Sequence, residues 1–245
     1  MKPTTKMWLS VVAVIGLMVA AAAADDRVVR PGQQFMGKSY NELVGEWANW
    51  LVVEPTATNP AFYLDGRFCD RNQKGNVWFL ASTFGEVATR TCKVPPGKAI
   101  FFSLGGVFIS FSPDFPAADD PCFALTTELE KVRCDVNNDV SLAPNISFEV
   151  ILDGVAVEDL FAYRAQSPPG GFTLRVPTQS LLTDPSFTAP QPPFSSGDRS
   201  PAVGDGYFLF VKPLKPGVHT LHLLMTTPGQ PDTDTGVNYT LIVSP

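Results

Sequence analysis

Residues Gly32 to Ser39 read GQQFMGKS and match GxxxxGK[ST], the pattern of a loop whose backbone amides cradle phosphates at the start of a helix. The context argues against that chemistry. The preceding RVVR is short, charged and followed by Pro31, so no buried strand leads in, and no alternation of strands and helices follows. Ser39 also has another use as a helix cap. His219 and His222 are the only histidines, and as HTLH in a strand they point to opposite faces, which keeps them from sharing a metal ion. Asp135, Asn137 and Asp139 begin a calcium-loop spacing. Val140 then stands where such a loop needs glycine, and Ile146 where it needs glutamate. Asp232 and Asp234 before Gly236 are a similar fragment. A solvated loop accounts for both. Glu46 with Asp65 would suit glycoside hydrolysis if the fold set them about 5–10 Å apart across a cleft. Glu46 beside Trp50 is an arrangement common in sugar-binding sites, and it is the ligand-binding candidate. No GxSxG or HExxH motif occurs, and no cofactor, metal site or catalytic residue is expected.

The element that must position Glu46 and Trp50 is the stretch SYNELVGEWANWLVVEP at 39–55. Ser39 and Glu42 form a capping box, each satisfying a backbone N–H of the other's turn. Tyr40, Leu43, Val44, Trp47, Trp50 and Leu51 fall within an arc of about 120°, and Pro55 ends the helix. Trp47 lies mid-arc and Trp78 sits inside VWFL. Burying each removes about 150–250 Å² from water, several kcal/mol at about 25 cal/mol/Å², so both are core residues. Trp50 lies at the edge of the arc, next to Glu46.

The rest reads mainly as strands and turns, with 23 prolines and 19 glycines in 245 residues. NVWFLAS (76–82) is a buried-strand run. VATRTCKV (87–94) alternates, and Pro95-Pro96-Gly97 should turn it into AIFFSLGGVFISF (99–111) as a hairpin. DDPCFALTTELEKVRC (119–134) is a second, disulfide-bracketed helix, with Asp120 as cap and Pro121 at the first position. ISFEVIL and VAVEDL flank Asp153-Gly154, a strong hairpin signal. GGFTLRVP, GYFLFVKPL, HTLHLLMTT and VNYTLIV are further strands, with LKPG (214–217) as a turn. Residues 183–206, rich in Pro, Ser and Gly, read as a long loop of the kind that forms a lid or a disordered excursion. The expected fold is one domain over 25–245: an antiparallel β-sandwich, immunoglobulin-like or jelly-roll-like, with the amphipathic helix packed on it.

Lys2 and Lys6, the apolar run MWLSVVAVIGLMVA and Ala22-Ala23-Ala24 make residues 1–24 a signal peptide cleaved after Ala24; an uncleaved anchor is the other reading. No other stretch is long and apolar enough to span a membrane. Eighteen basic residues less the two leader lysines leave 16 against 24 acidic ones, a charge of −8. That charge disfavours nucleic acid and anionic lipid as partners. Cys69, Cys92, Cys122 and Cys134, with no CxxC among them, suit two disulfides in a secreted or periplasmic chain. Cys69–Cys92 with Cys122–Cys134 is preferred over the two crossed pairings. An unbroken helix would hold Cys122 and Cys134 about 18 Å apart, so that pairing requires a short helix with folded-back flanks. Asn145-Ile-Ser and Asn238-Tyr-Thr are formal glycosylation sequons, of no consequence behind a bacterial-looking leader.

EWANWLVVEPTATNP, CDRNQKGNVWFLAS, RTCKVPPGKAIFF, DGVAVEDLFAYRAQS and PLKPGVHTLHL…VNYTLIV, in that order, resemble a group of small exported bacterial proteins with no assigned activity. The resemblance covers most of the mature chain. It implies a secreted β-rich fold and brings no catalytic residue. Where such sequences often read FFP, this one has Phe101-Phe102-Ser103. These features suit a non-enzymatic exported protein that binds carbohydrate or a cell-surface polymer. A hydrolase built on a carboxylate pair and a structural envelope or matrix component are the alternatives, and the fold class hosts all three.

Overall fold

The computed structural model describes residues 25–142, 146–189, 192–229 and 234–245. The leader at 1–24 lies outside the described residues, as do Asn145 of the first sequon and Asp232. Helix α1 (Tyr40–Val53) begins at the expected cap: Glu42 N–H donates to Ser39 Oγ at 3.3 Å, and Ser39 N–H donates to Glu42 Oε2 at 2.9 Å. Its apolar arc is buried and each tryptophan finds a polar partner. The Trp47 indole donates to the Leu80 carbonyl at 3.1 Å and the Trp50 indole to the Arg71 carbonyl at 2.9 Å.

The chain is mainly β, in two sheets. Strands β1 (Val77–Leu80), β2 (Val87–Val94) and β3 (Ala99–Phe111) come first, then helix α2 (Glu128–Leu142). Strands β4 (Ser147–Leu152), β5 (Val155–Ala156), β6 (Arg164–Gln166) and β7 (Phe172–Val176) follow, then the short helix α3 (Pro185–Thr188). Strands β8 (Gly197–Val211), β9 (Gly217–Thr226) and β10 (Thr235–Val243) close the chain. One sheet runs β1-β3-β8-β6 with β7 also on β8; the other runs β2-β10-β9-β4-β5. Both sheets are mixed, which corrects the purely antiparallel expectation: β1 lies parallel to β3 and β2 parallel to β10.

The two parallel pairs have one cause. β2 and β3 do not form the expected hairpin; the turn at 95–97 carries the chain from one sheet to the other. β2 is buried at every second residue, as suits a strand with one wet face, whereas Ala99–Gly105 of β3 is buried without interruption. β3 therefore suits a sheet covered on both faces, and β2 a sheet with one face in water. The Asp153-Gly154 turn is as expected, with both residues at positive φ (50° and 78°) and Leu152 paired with Val155.

Residues 119–134 are not one helix. A 3-10 turn, Pro121–Ala124, is capped by Asp120, whose Oδ1 accepts from Cys122 N–H at 2.6 Å. The chain then folds back, and α2 starts from a second capping box: Glu130 N–H donates to Thr127 Oγ1 and Thr127 N–H to Glu130 Oε2. The fold-back lets Cys122 and Cys134 pair with Cα atoms 5.6 Å apart, while the helix runs on past the cysteine to 142. Cys69 and Cys92 form the other disulfide. Each restrains the unfolded chain by roughly 3 kcal/mol in the loop-entropy view. Asp135, Asn137 and Asp139 therefore lie on a helix, not in a solvated loop. Asp135 accepts from Ser110 Oγ, and Asn137 from Arg164.

The stretch 183–206 is a loop only in its first half. Gly197–Val211 is the central strand of its sheet, paired with β3 on one side and with β7 and then β6 on the other. Its glycines are there because neighbours come close. A Cβ at Gly204 would lie 3.0 Å from Val44 Cγ1 of α1. Adjacent Val203 packs with Val132 and Val136 of α2. Neighbouring strand residues point to opposite faces, so α1 and α2 cover opposite faces of this sheet. The second sheet approaches β3 through β9 and β10, and one hydrophobic cluster draws on α1 and both sheets.

Candidate functional site

The phosphate-loop match folds as something else. Phe35 and Lys38 exchange backbone hydrogen bonds, both 3.0 Å, across a two-residue turn with Met36 and Gly37 at positive φ (51° and 73°). Those amides are used on each other, and Lys38 Nζ lies 2.5 Å from Glu46 Oε1. The hydrogen bond to Glu46 raises the Lys38 pKa.

Glu46 and Trp50 do line one groove, of about 560 Å³, together with Asn49, Lys74, Phe172 and Arg175. Trp50 is only 5 % exposed and its ring tilts against Phe79 at 5.7 Å, so the groove meets little of its face. Asp65 is not part of this groove. It sits against Arg67 at 2.7 Å, and the side-chain hydrogen bond from Arg67 holds its carboxyl down to about 2. The structure thus keeps Glu46 and Asp65 each with its own cation. Trp47 and Trp78 are core, at 4 % and 7 % exposed.

The two histidines have separate partners. His222 Nδ1 is 2.6 Å from Asn238 Oδ1. His219 places Nδ1 2.8 Å from Asp153 Oδ2 and Nε2 2.8 Å from the Lys215 carbonyl. Two acceptors call for two N–H donors, which only the imidazolium supplies. Burial pulls the His219 pKa down, and so does Arg27, but the hydrogen bonds to Asp153 and Lys215 and the Asp153 charge win and raise it above 6.5. Burial likewise pushes Asp153 up, but its hydrogen bonds from His219 and the Thr220 amide, with the charges of His219 and Arg27, bring it below 3.8. The histidine's contribution to stability is complete below pH 6.5 and is lost as pH rises through the raised folded value. The aspartate's contribution is complete above pH 3.8 and is lost as pH falls through the lowered value. Melting temperature against pH should therefore decline above about pH 6.5, and His219→Gln should flatten that limb. An unchanged decline in the variant would assign it to other groups. Among the described residues no group of three His, Cys, Asp or Glu side chains is placed to hold a metal ion.

The best-formed cavity lies under α1, with a volume of about 340 Å³. Trp47, Leu51 and Val52 roof it, Phe108, Ile109 and Phe111 of β3 wall it, and Leu181, Leu182 and Phe187 stand at its mouth. Its origin is local. Large side chains along β3 give way from Phe101 and Phe102 to Ser103 and then to Gly105 and Gly106. Both glycines have positive φ (112° and 58°), and the β3–β8 register shifts there, as in a bulge. Leu181–Phe187, the first part of the long loop, covers the gap, and the Ser180 hydroxyl and the Asp184 carboxylate cap its two short turns. The polar lining is sparse: Ser82, Thr83, Ser103 and Thr235. Thr83 donates to the Glu86 carbonyl. Ser82 Oγ is buried with no hydrogen-bond partner. Ser103 is 2 % exposed, and its hydroxyl makes no hydrogen bond among the described residues. Sequence periodicity had no means of finding this cavity; the one sign was Gly105-Gly106 inside an apolar strand, where glycine marks a bulge or a close approach.

Arg90 lies beside the cavity's Ser82 end. It is 1 % exposed, and its five hydrogen bonds go to the carbonyls of Ala61, Tyr63, Ala81 and Ser82 and to the Tyr239 hydroxyl. Among the described residues no carboxylate pairs with it. The alternation of β2 announces it, since Arg90 shares the inward parity of Ala88, Cys92 and Val94.

No family model matches the chain, and no curated protein matches it. Among solved structures, a chain titled "Structure of PbICP-C in complex with falcipain-2" is similar over 69 % of this chain and 100 % of that one, at 12 % identity and a TM-score of 0.24. A likeness at that level carries no argument. The two disulfides are consistent with a secreted or extracytoplasmic protein, and no described helix is long and apolar enough to cross a membrane.

Proposed function

We propose that this chain is a secreted or periplasmic, non-enzymatic binding protein with a sandwich-like fold, of the exported β-rich kind it resembles in sequence, and that it holds a small, mostly apolar ligand under α1. The observation that carries this reading is the cavity itself: apolar walls, an outer rim where exposed Phe84 meets half-buried Leu182 and Phe187, and very few polar groups. That is the make-up of small-molecule sites, and its volume is at their lower end. At about 30 Å³ per heavy atom it suits on the order of ten heavy atoms.

A second reading, carbohydrate or cell-surface polymer in the neighbouring groove, is favoured by the polar side chains that ring it, Glu46, Asn49, Lys74 and Arg175. One pair of measurements separates the two. In saturation-transfer NMR, 1-octanol should receive signal from the protein, and Leu182→Trp, which plugs the mouth, should abolish the transfer. A glycan array should stay blank. Equal transfer from wild type and Leu182→Trp would sink the first reading. Array binding weakened by Glu46→Gln or Arg175→Ala would establish the second.

A further inference from the structure

The groups at one end of the cavity specify what kind of apolar ligand fits. Leu80 of β1 pairs with Phe102 of β3 in parallel register, so the chain leaving β1 at Ser82 runs alongside β3 just past Ser103. Both serines line the cavity, and among the described residues neither hydroxyl makes a hydrogen bond. A buried hydroxyl without a hydrogen bond is costly, so Ser82 Oγ marks where a ligand's polar group would be stabilised, and Ser103 adds a second hydroxyl to the same lining. The sign of that group follows from Arg90. Its guanidinium donates to the carbonyls of Ala81 (2.6 Å), Ser82 (3.3 Å) and Ala61 (3.0 Å), and two of these three residues, Ser82 and Ala61, line the cavity. All five of its hydrogen bonds end on neutral atoms, so among the described residues this buried guanidinium has no carboxylate paired with it. Neutral acceptors satisfy the donors and leave the net charge in place. In a site of low dielectric, such a charge attracts an anion strongly.

We propose that the ligand is a small amphiphilic carboxylate. Its chain lies among Trp47, Leu51, Leu182 and Phe187, and its carboxylate accepts hydrogen bonds from the Ser82 and Ser103 hydroxyls at the Arg90 end. This rests on the cavity being a binding site. It adds the head group, its charge and its position. Octanoate, with ten heavy atoms, has the size the volume allows.

The test is calorimetric titration of the full chain with sodium octanoate and with 1-octanol, in wild type, Ser82→Ala/Ser103→Ala and Leu182→Trp. Octanoate should bind at least tenfold more tightly than 1-octanol. The double alanine variant should lose about tenfold in octanoate affinity, the effect of about 1.4 kcal/mol of charge-assisted hydrogen bonding, and little in 1-octanol affinity. Its melting temperature should hold or rise, because removing an unpartnered buried hydroxyl leaves no orphan behind. Leu182→Trp should remove both ligands. If 1-octanol binds as well as octanoate, or if the double variant binds octanoate like wild type, the carboxylate head group is wrong while the apolar site stands. If Leu182→Trp changes neither ligand, or if neither ligand binds wild type, the apolar site and this proposal fail together.

Discussion

Arg90→Met should cost about 4 kcal/mol or more of stability, enough to lower the melting temperature by roughly 8–16 °C or to prevent folding. Arg90 is a single side chain that ties three separate parts of the chain. Its Nε donates to Tyr63 at 2.8 Å and one Nη to Ala61, holding the loop after α1. The other Nη reaches Ala81 and Ser82, where the chain leaves β1, and the Tyr239 hydroxyl on β10 at 3.0 Å. Methionine fills similar space and removes the buried charge, a gain that offsets part of the loss. It leaves the carbonyls of Ala61, Tyr63 and Ser82 without this donor, at about 1–3 kcal/mol for each one that finds no substitute, while Ala81 keeps the Tyr239 hydroxyl. Arg90→Lys should recover only a fraction, since an ammonium on a flexible stem cannot reach donors spread as a planar fork spreads them. Tyr239→Phe should cost far less, about 1 kcal/mol, although its hydroxyl also donates to Ala81 at 2.6 Å. Urea denaturation measures all three. A loss below about 1 kcal/mol for Arg90→Met would mean that those carbonyls find other donors.

Gly206→Ala should cost about 3 kcal/mol, through overpacking against backbone. A Cβ there would lie 2.7 Å from Val107 Cγ2, 2.8 Å from Val107 Cα and 2.9 Å from the Gly106 carbonyl oxygen, at a φ of +157°. Backbone at the β3 bulge cannot step aside without disturbing the β3–β8 ladder, whose register already shifts there. Gly204→Ala, in the same strand, makes the comparison sharp. Its nearest neighbour would be a side-chain methyl of Val44 at 3.0 Å, which has more freedom to move. The expected order is Gly206→Ala well below Gly204→Ala in denaturation midpoint. The reverse order would show that the bulge yields more readily than the α1 contact.

The long stretch at 183–206 shows why strand pairing was hard to read from local signals. GDRSPAVGDG carries three glycines and a proline, the marks of a loop. Flanked by β3 on one side and by β6 and β7 on the other, with α1 pressed on one face, the same residues are strand because neighbours supply hydrogen bonds and leave no room for side chains. The hairpin expected from VATRTCKV and AIFFS failed for a related reason. A turn at Pro95-Pro96-Gly97 is a local fact, but which sheet receives the next strand depends on burial across the whole molecule. Residues 119–134 carry two helix starts, Asp120-Pro121 and the Thr127–Glu130 capping box, and only the second opens the long helix.

The sequence alone determined those features whose causes lie within a few residues. These are α1 with its Ser39–Glu42 cap, the core placement of Trp47 and Trp78, and the Asp153-Gly154 turn; the cysteine pairing was a preference that the structure bears out. Caps, turns and periodicity act over one or two turns of chain, so they survive being read locally. Only the tertiary structure decided how far Trp50 is buried beside Glu46, how far apart β2 and β3 end up, and where the cavity opens. It also set the Arg90 guanidinium against Ser82, whose buried hydroxyl has no hydrogen-bond partner among the described residues. Each of these depends on segments distant in sequence coming together: Arg90 hydrogen-bonds Ala61 and Tyr239, and Trp47, Gly105 and Phe187 line one cavity. No window of the chain contains both partners.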